Sequence, residues 1–143
     1  MAVELHHTFT THKSLQETWE SILDLDHVVS SVEGGRIVES TSPTSAKAEI
    51  KVKMGAMSLS YSGTIEILEQ DDSAHRAVMR VKSREVGGQG TANATVVFGV
   101  AEGGGTIDTT AQITGKAASM GEGVMVGVLD ALVKDFTGKL SQL

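Results

Sequence analysis

The run Gly115-Lys116-Ala117-Ala118-Ser119-Met120-Gly121 divides two kinds of sequence. Before it, apolar and polar residues alternate with period two over most of the chain, the pattern of strands with one dry face and one wet face. From within it onward, Ala118, Gly121, Met125, Leu129, Leu132, Phe136 and Leu140 recur at steps of three and four, which stacks them on one helical face. A long helix with an apolar face needs a cover, and the alternating strands are the cover available. The expected fold is α+β: a curved antiparallel sheet of about seven strands wrapped around a long C-terminal helix.

The strands are read directly from the alternation. Val3, Leu5, His7 and Phe9 share one face of the first. Ser14-Leu15-Gln16-Glu17 then has the form of a capping box, so a helix starts there with Leu15, Trp19, Ile22 and Leu23 as its apolar stripe. A second short helical stretch from His27 to Val32 is ended by Gly34-Gly35, and Arg36 to Ser40 reads as a weak strand. Next come Ala48, Ile50, Val52 and Met54; then Met57, Leu59, Tyr61, Gly63, Ile65 and Ile67; then Ala77, Met79 and Val81; then Ala92, Ala94, Val96 and Phe98; and finally Ile107, Ala111 and Ile113. No repeat or linker divides the chain, so residues 1–143 are expected to form one domain.

Composition excludes several kinds of chemistry. The formal net charge of -6 disfavours broad binding to nucleic acid, and the absence of cysteine excludes disulfides, thiolate metal sites and cysteine nucleophiles. His6 and His7 are adjacent in a strand and point to opposite faces, and His12, His27 and His75 have no ligand spacing, so no metal site is expected. No serine sits in a nucleophile elbow. The N-terminus enters a strand pattern at once, which makes the cytoplasm the expected location.

What remains is an apolar interior of unusual make-up. Only 3% of residues are aromatic, while Met54, Met57, Met79, Met120 and Met125 fall on inward positions together with the small residues Ala48, Gly63, Ala77, Ala92, Ala94 and Ala111. Flexible methionines around small side chains suit an adaptable cavity, usually about 300 to 1,000 Å³ in ligand-binding proteins. Gly121, Gly123 and Gly127 in the long helix each cost about 1 kcal/mol relative to alanine. Either close packing against the sheet or room for a ligand would offset that cost. Outside, Lys47, Lys51 and Lys53 form one basic row, and Arg76, Arg80, Lys82 and Arg84 form another. These rows suit a solvated exterior or a docking face for an acidic partner or lipid headgroups.

The order of strand, two helices, about six strands and a long helix resembles the START-like helix-grip superfamily. Within it, Glu17-Thr18-Trp19, Lys51-Val52-Lys53-Met54-Gly55, Tyr61-Ser62-Gly63 and the run from Gly115 to Gly121 resemble the family of carbon monoxide dehydrogenase G-subunits. The resemblance implies a non-enzymatic accessory protein of a molybdenum carbon monoxide dehydrogenase, with no metal, catalytic group or intrinsic cofactor of its own. It also implies an apolar, lipid-like ligand between sheet and helix. A respiratory quinone such as menaquinone or ubiquinone would link the enzyme to the membrane quinone pool, and peripheral contact with the inner face of the cell membrane would accompany it. Lining residues are expected to be Trp19, Met54, Met57, Leu59, Tyr61, Met79, Phe98, Met120, Val124, Met125 and Val128, with Tyr61 able to hydrogen-bond a headgroup. Two alternatives stand beside this: a polyketide cyclase or aromatase-like enzyme using His7 or Tyr61, and an assembly factor that binds no ligand.

Overall fold

The structure, a computed structural model, describes residues 1–142. Its elements run β1 (Ala2–Thr10), α1 (Leu15–Leu23), α2 (Leu25–Ser30), β2 (Gly35–Ser42), β3 (Ser45–Met54), β4 (Met57–Asp71), β5 (Arg76–Glu85), β6 (Thr91–Ala101), β7 (Gly104–Ile113), a 3-10 turn (Ala118–Met120) and α3 (Glu122–Gln142). All seven strands form one antiparallel sheet in the order β1-β7-β6-β5-β4-β3-β2. The meander from β2 to β7 follows chain order, and only β1 joins from the other end of the sequence, beside β7. This is the helix-grip arrangement expected from the alternation.

Local chemistry sets the element boundaries. Ser14 starts α1 through the capping box: its Oγ accepts from the Glu17 amide at 3.1 Å, while Glu17 Oε1 accepts from the Ser14 amide at 3.4 Å. Asp24 does the same work for α2, accepting from the His27 amide at 3.3 Å. At the other end of the sheet, Gly90 and Gly115 have φ of +126° and +81°, and a Cβ on Gly115 would lie 2.0 Å from the Gln89 carbonyl oxygen. Only glycine lets these two segments approach so closely. The Lys116 amide then donates to Gln89 O at 2.8 Å, fixing the exit from β7.

The long helix starts later than the periodicity predicts. Ala118–Met120 is a separate 3-10 turn, and Gly121, at φ +98°, breaks the chain direction before α3 begins at Glu122. The reason is conformational: a left-handed residue cannot lie inside an α-helix. Gly123 and Gly127 are also placed differently from either expectation, since both are exposed and a Cβ on either would meet nothing within 4 Å. They lie on the outer face of α3, away from sheet and interior.

The apolar interior forms two clusters. One gathers Phe9, Trp19, Ile22, Phe98, Phe136 and Leu140 beside α1 and α2. The other gathers Val3, Val52, Met54, Leu59, Tyr61, Ile113 and Met125 near the start of α3. α3 comes closest to the sheet along β1, where His7 Nε2 lies 2.7 Å from Asp130 Oδ1. Nearer its C-terminal end, Asp135 Oδ2 accepts from the Glu33 amide at 2.8 Å.

Candidate functional site: an apolar cavity under the long helix

Between the two clusters the helix stands off the sheet and leaves a cavity of about 300 Å³. Its wall comes from the inward positions of β3 to β7, from Val28, Val29 and Val32 of α2 and the loop after it, and from Met125, Leu129, Leu132, Val133 and Phe136 of α3. Small residues make the room. Ala48, Gly63, Ala92, Ala94 and Ala111 all lie on the wall, where larger side chains would reach the helix. Gly63 is also forced by the backbone, because a Cβ there would come 1.9 Å from the Lys82 carbonyl oxygen of the neighbouring strand. The volume falls at the lower end of the range common for ligand pockets.

Five of the eleven lining residues expected from the sequence meet on this wall: Met54, Tyr61, Met79, Phe98 and Met125. The other six lie elsewhere. Trp19 is buried at the base of the aromatic cluster, with its indole N–H donating to Asp72 at 2.9 Å and its ring edge-on to His75 at 5.5 Å. Leu59 is buried in the methionine cluster with Met57 packed against it, at the far end of the β3–β4 hairpin. Met120 belongs to the 3-10 turn, Val128 packs on the methionine cluster, and Val124 is 42% exposed on the first turn of α3. The alternation assigns the correct face to Met57 and Leu59 but carries no information about position along the helix axis.

The wall is not wholly apolar. Tyr61 and Thr109 both line the cavity, at 3% and 7% exposure, and neither the Tyr61 hydroxyl nor Thr109 Oγ1 has a hydrogen-bond partner among the described residues. A buried hydroxyl without a partner costs free energy, of order 1–3 kcal/mol, so two of them on one cavity wall are a feature to be explained. Burial, and secondly the nearby Glu85 carboxylate, push the Tyr61 phenol above its usual value and keep it a neutral donor. Glu85 stands directly opposite Tyr61 in the β4–β5 ladder; its Oε1 is held by the Gly87 amide at 2.7 Å and by the Gln89 amide at 3.4 Å. Among the described residues no lysine, arginine or histidine lines the cavity. Thr109 is the functional candidate that sequence reasoning missed; its inward register between Ile107 and Ala111 was the available signal.

His7 points inward as expected, but its Nε2 is tied to Asp130, whose other carboxylate oxygen takes Lys134 Nζ at 2.8 Å. These contacts, Lys134 first and His7 second, hold the Asp130 carboxyl below its usual range. His7 is thereby a tie between sheet and helix and is absent from the cavity wall. His6, on the opposite face, pairs with Asp108 across the β1–β7 ladder, so Asp108 has a partner that the sequence does not reveal. Among the described residues no group of three histidine or carboxylate side chains is placed to hold a metal ion.

Comparison with known proteins follows the same geometry. The model of the CoxG family, described as the G-subunit of carbon monoxide dehydrogenase, matches residues 8–143. The chain belongs to that family. Among solved structures, the CoxG chain is similar to a conserved protein from Geobacillus kaustophilus, with a TM-score of 0.80 at 20% identity, covering 99% of this chain and 93% of that one. It is also similar to the Zhui aromatase/cyclase from Streptomyces sp. R1128, with a TM-score of 0.64 at 10% identity and coverage of 98% and 94%. A START superfamily protein from Mycobacterium smegmatis gives 0.63 at 10% identity, with coverage of 99% and 97%. At these identities the likeness establishes the START-like fold. A search of curated proteins finds no sequence match. Among the described residues, no helix of this CoxG chain is long and apolar enough to cross a membrane.

Proposed function

We propose that this CoxG family member is a non-enzymatic carrier that takes up one apolar, lipid-like molecule in the cavity under α3 and serves a molybdenum carbon monoxide dehydrogenase. The observation that carries the reading is an apolar cavity with two buried, unpartnered hydroxyls on its wall. Such a wall favours a molecule that is mostly hydrocarbon and bears a neutral acceptor oxygen, which Tyr61 can meet as a donor. Glu85 behind the tyrosine, and the absence of any basic side chain from the wall among the described residues, count against a carboxylate headgroup. A respiratory quinone, menaquinone or ubiquinone, has this chemistry. Carrying it would connect the dehydrogenase to the membrane quinone pool, with contact at the inner face of the membrane during loading.

The direct test is to purify the protein without detergent, extract it with organic solvent and identify bound lipid by mass spectrometry, then titrate the emptied protein with quinones of increasing tail length. Saturable binding near one per chain is expected. Binding should be lost on Ala94→Phe or Met125→Trp, which fill the cavity, and weakened by Tyr61→Phe. No saturable binding to any quinone would overturn the reading.

A second reading, a cyclase-like enzyme, has Tyr61 on the cavity wall and the fold likeness to an aromatase/cyclase in its favour. It lacks a second free acid-base group on the cavity wall: His7 is engaged by Asp130, and Glu85, opposite Tyr61 in the ladder, is held by the Gly87 and Gln89 amides and does not line the cavity. Turnover of polyketide substrates that disappeared in Tyr61→Phe would favour it over the carrier.

A further inference from the structure

We propose that the outer face of β3, β4 and β5, on the half of the sheet nearest the β3–β4 turn, is a docking surface for an acidic protein partner. The outward residues of β4 change character along the strand. At one end they are carboxylates: Glu69 pairs with Arg76 at 3.3 Å and Glu66 pairs with Arg80. Toward the other end the outward positions become Thr64, Ser62, Ser60 and Ser58, and the cations opposite them lose their partners. In register, Thr64 stands opposite Lys82, Ser62 opposite Arg84, Ser60 opposite Lys51 and Ser58 opposite Lys53. All four cations are exposed.

Six lysines and arginines have no ion pair among the described residues, and four of them are these. The acidic groups nearby are already taken: Glu49 by Arg36, Glu39 by Lys47 at 3.6 Å, and Glu66 by Arg80. In a chain whose net charge is -6, this leaves a local positive field on an acidic body. A sheet exterior meant only for solvent would continue the glutamate pairing seen at the other end of the same strands.

Two observations favour a protein over a lipid surface. Among the described residues one aliphatic side chain borders these rows, Val86, 66% exposed with its amide donating to the Ser60 carbonyl at 2.8 Å, and a single valine offers too little apolar surface to anchor in an acyl layer. The central file of hydroxyls repeats at every second residue, about 6.6–6.8 Å apart, and none of the four side chains is used in a hydrogen bond among the described residues. A fixed row of directional groups between two files of cations suits a partner with carboxylates in fixed positions. Such complementarity acts mainly on encounter rate and register. Rim-type polar faces of this kind are also strongly salt-dependent.

The choice of partner for the test rests on the function proposed above. Association of the whole protein with purified molybdenum carbon monoxide dehydrogenase from the same organism would be measured by biolayer interferometry at about 20 mM and about 300 mM salt. The variant Lys51→Gln, Lys53→Gln, Lys82→Gln, Arg84→Gln would be compared with a control that removes four cations elsewhere, Lys13→Gln, Lys116→Gln, Lys134→Gln, Lys139→Gln. Expected are binding of the wild type that weakens with salt, a loss of at least about tenfold in the face variant, and a much smaller change in the control. Vesicles of phosphatidylglycerol and phosphatidylcholine form a parallel arm. Equal losses in both variants, no loss in the face variant, or no binding of the wild type to the dehydrogenase would overturn the proposal. Wild-type binding to anionic vesicles alone would overturn it in favour of lipid. Quinone retention, measured on the same samples, reports on the cavity independently of this face, so the two readings can fail separately.

Discussion

The two ends of the interior are built from different materials. Beside α1 and α2, all three phenylalanines and the tryptophan are buried together, and Phe98 meets Phe136 edge-on at 6.0 Å. Around the start of α3 the same job is done by Met54, Met125, short aliphatics and the single tyrosine, with Met57 and Met120 packed against them. Aromatic rings have few rotamers and definite mutual geometry, whereas methionine adapts its shape at little cost. The aromatic end is a fixed floor, and the methionine end is a wall that can repack around different contents. The cavity lies where the two meet.

Substitutions can break or sharpen this contrast. The largest effect is expected from Phe136→Ala, about 3–5 kcal/mol by urea denaturation, because a ring wedged between α3 and Phe98 leaves a void that rigid neighbours cannot fill. A loss under about 1.5 kcal/mol would show that the aromatic end is as adaptable as the other. Met125→Leu should cost less than about 1.5 kcal/mol although Met125 is just as buried, since its surroundings can adjust. Tyr61→Phe should be neutral or stabilising by up to about 1 kcal/mol in the ligand-free protein, because it removes an unpartnered hydroxyl. A clear destabilisation would mean that the phenol has a partner in solution.

The smallest effects are those of pH. Because the Tyr61 phenol is raised above 10.0, its contribution to stability is constant below pH 10. Above that value the unfolded chain loses the proton first, and stability falls as pH rises through the folded value. Tyr61→Phe should flatten that alkaline limb in thermal melts. Asp130 behaves in the opposite sense. Its carboxyl is lowered from 3.8, so its contribution is present above that pH and disappears as pH falls through the lower folded value. Asp130→Asn should make the acid limb shallower.

Much of this architecture is legible in residue order. The alternation assigns inward faces for six strands, and Ser14 with Glu17 marks the first helix to the residue, because both signals are local and have one physical cause each. The cavity wall is less legible. Leu129, Leu132 and Phe136 stand out as the apolar stripe of the helix, yet the expected lining stops at Val128, since nothing in a stripe says where along it the sheet curves away. Trp19 and Leu59 are misplaced for the complementary reason: their burial is plain from the pattern, but depth along the grip depends on sheet curvature, which is a property of the whole ladder. The start of α3 misleads because Gly121 fits the helical period while its φ of +98° does not fit a helix.

The glycines on the outer face of α3 have a consequence for how the helix comes apart. Gly123 and Gly127 each weaken it by about 1 kcal/mol relative to alanine and receive no packing in return. The backbone break at Gly121 immediately precedes them, and in that half of the helix only Met125 is fully buried. The C-terminal half carries Phe136 and Leu140 in the aromatic floor. Though continuous in its hydrogen bonding, the helix therefore comprises two stretches of unequal strength. Local fraying begins over the methionines, and amides near residues 122–129 exchange with deuterium well before those near 133–140. The interior is uncovered, one turn at a time, from the end whose wall is soft.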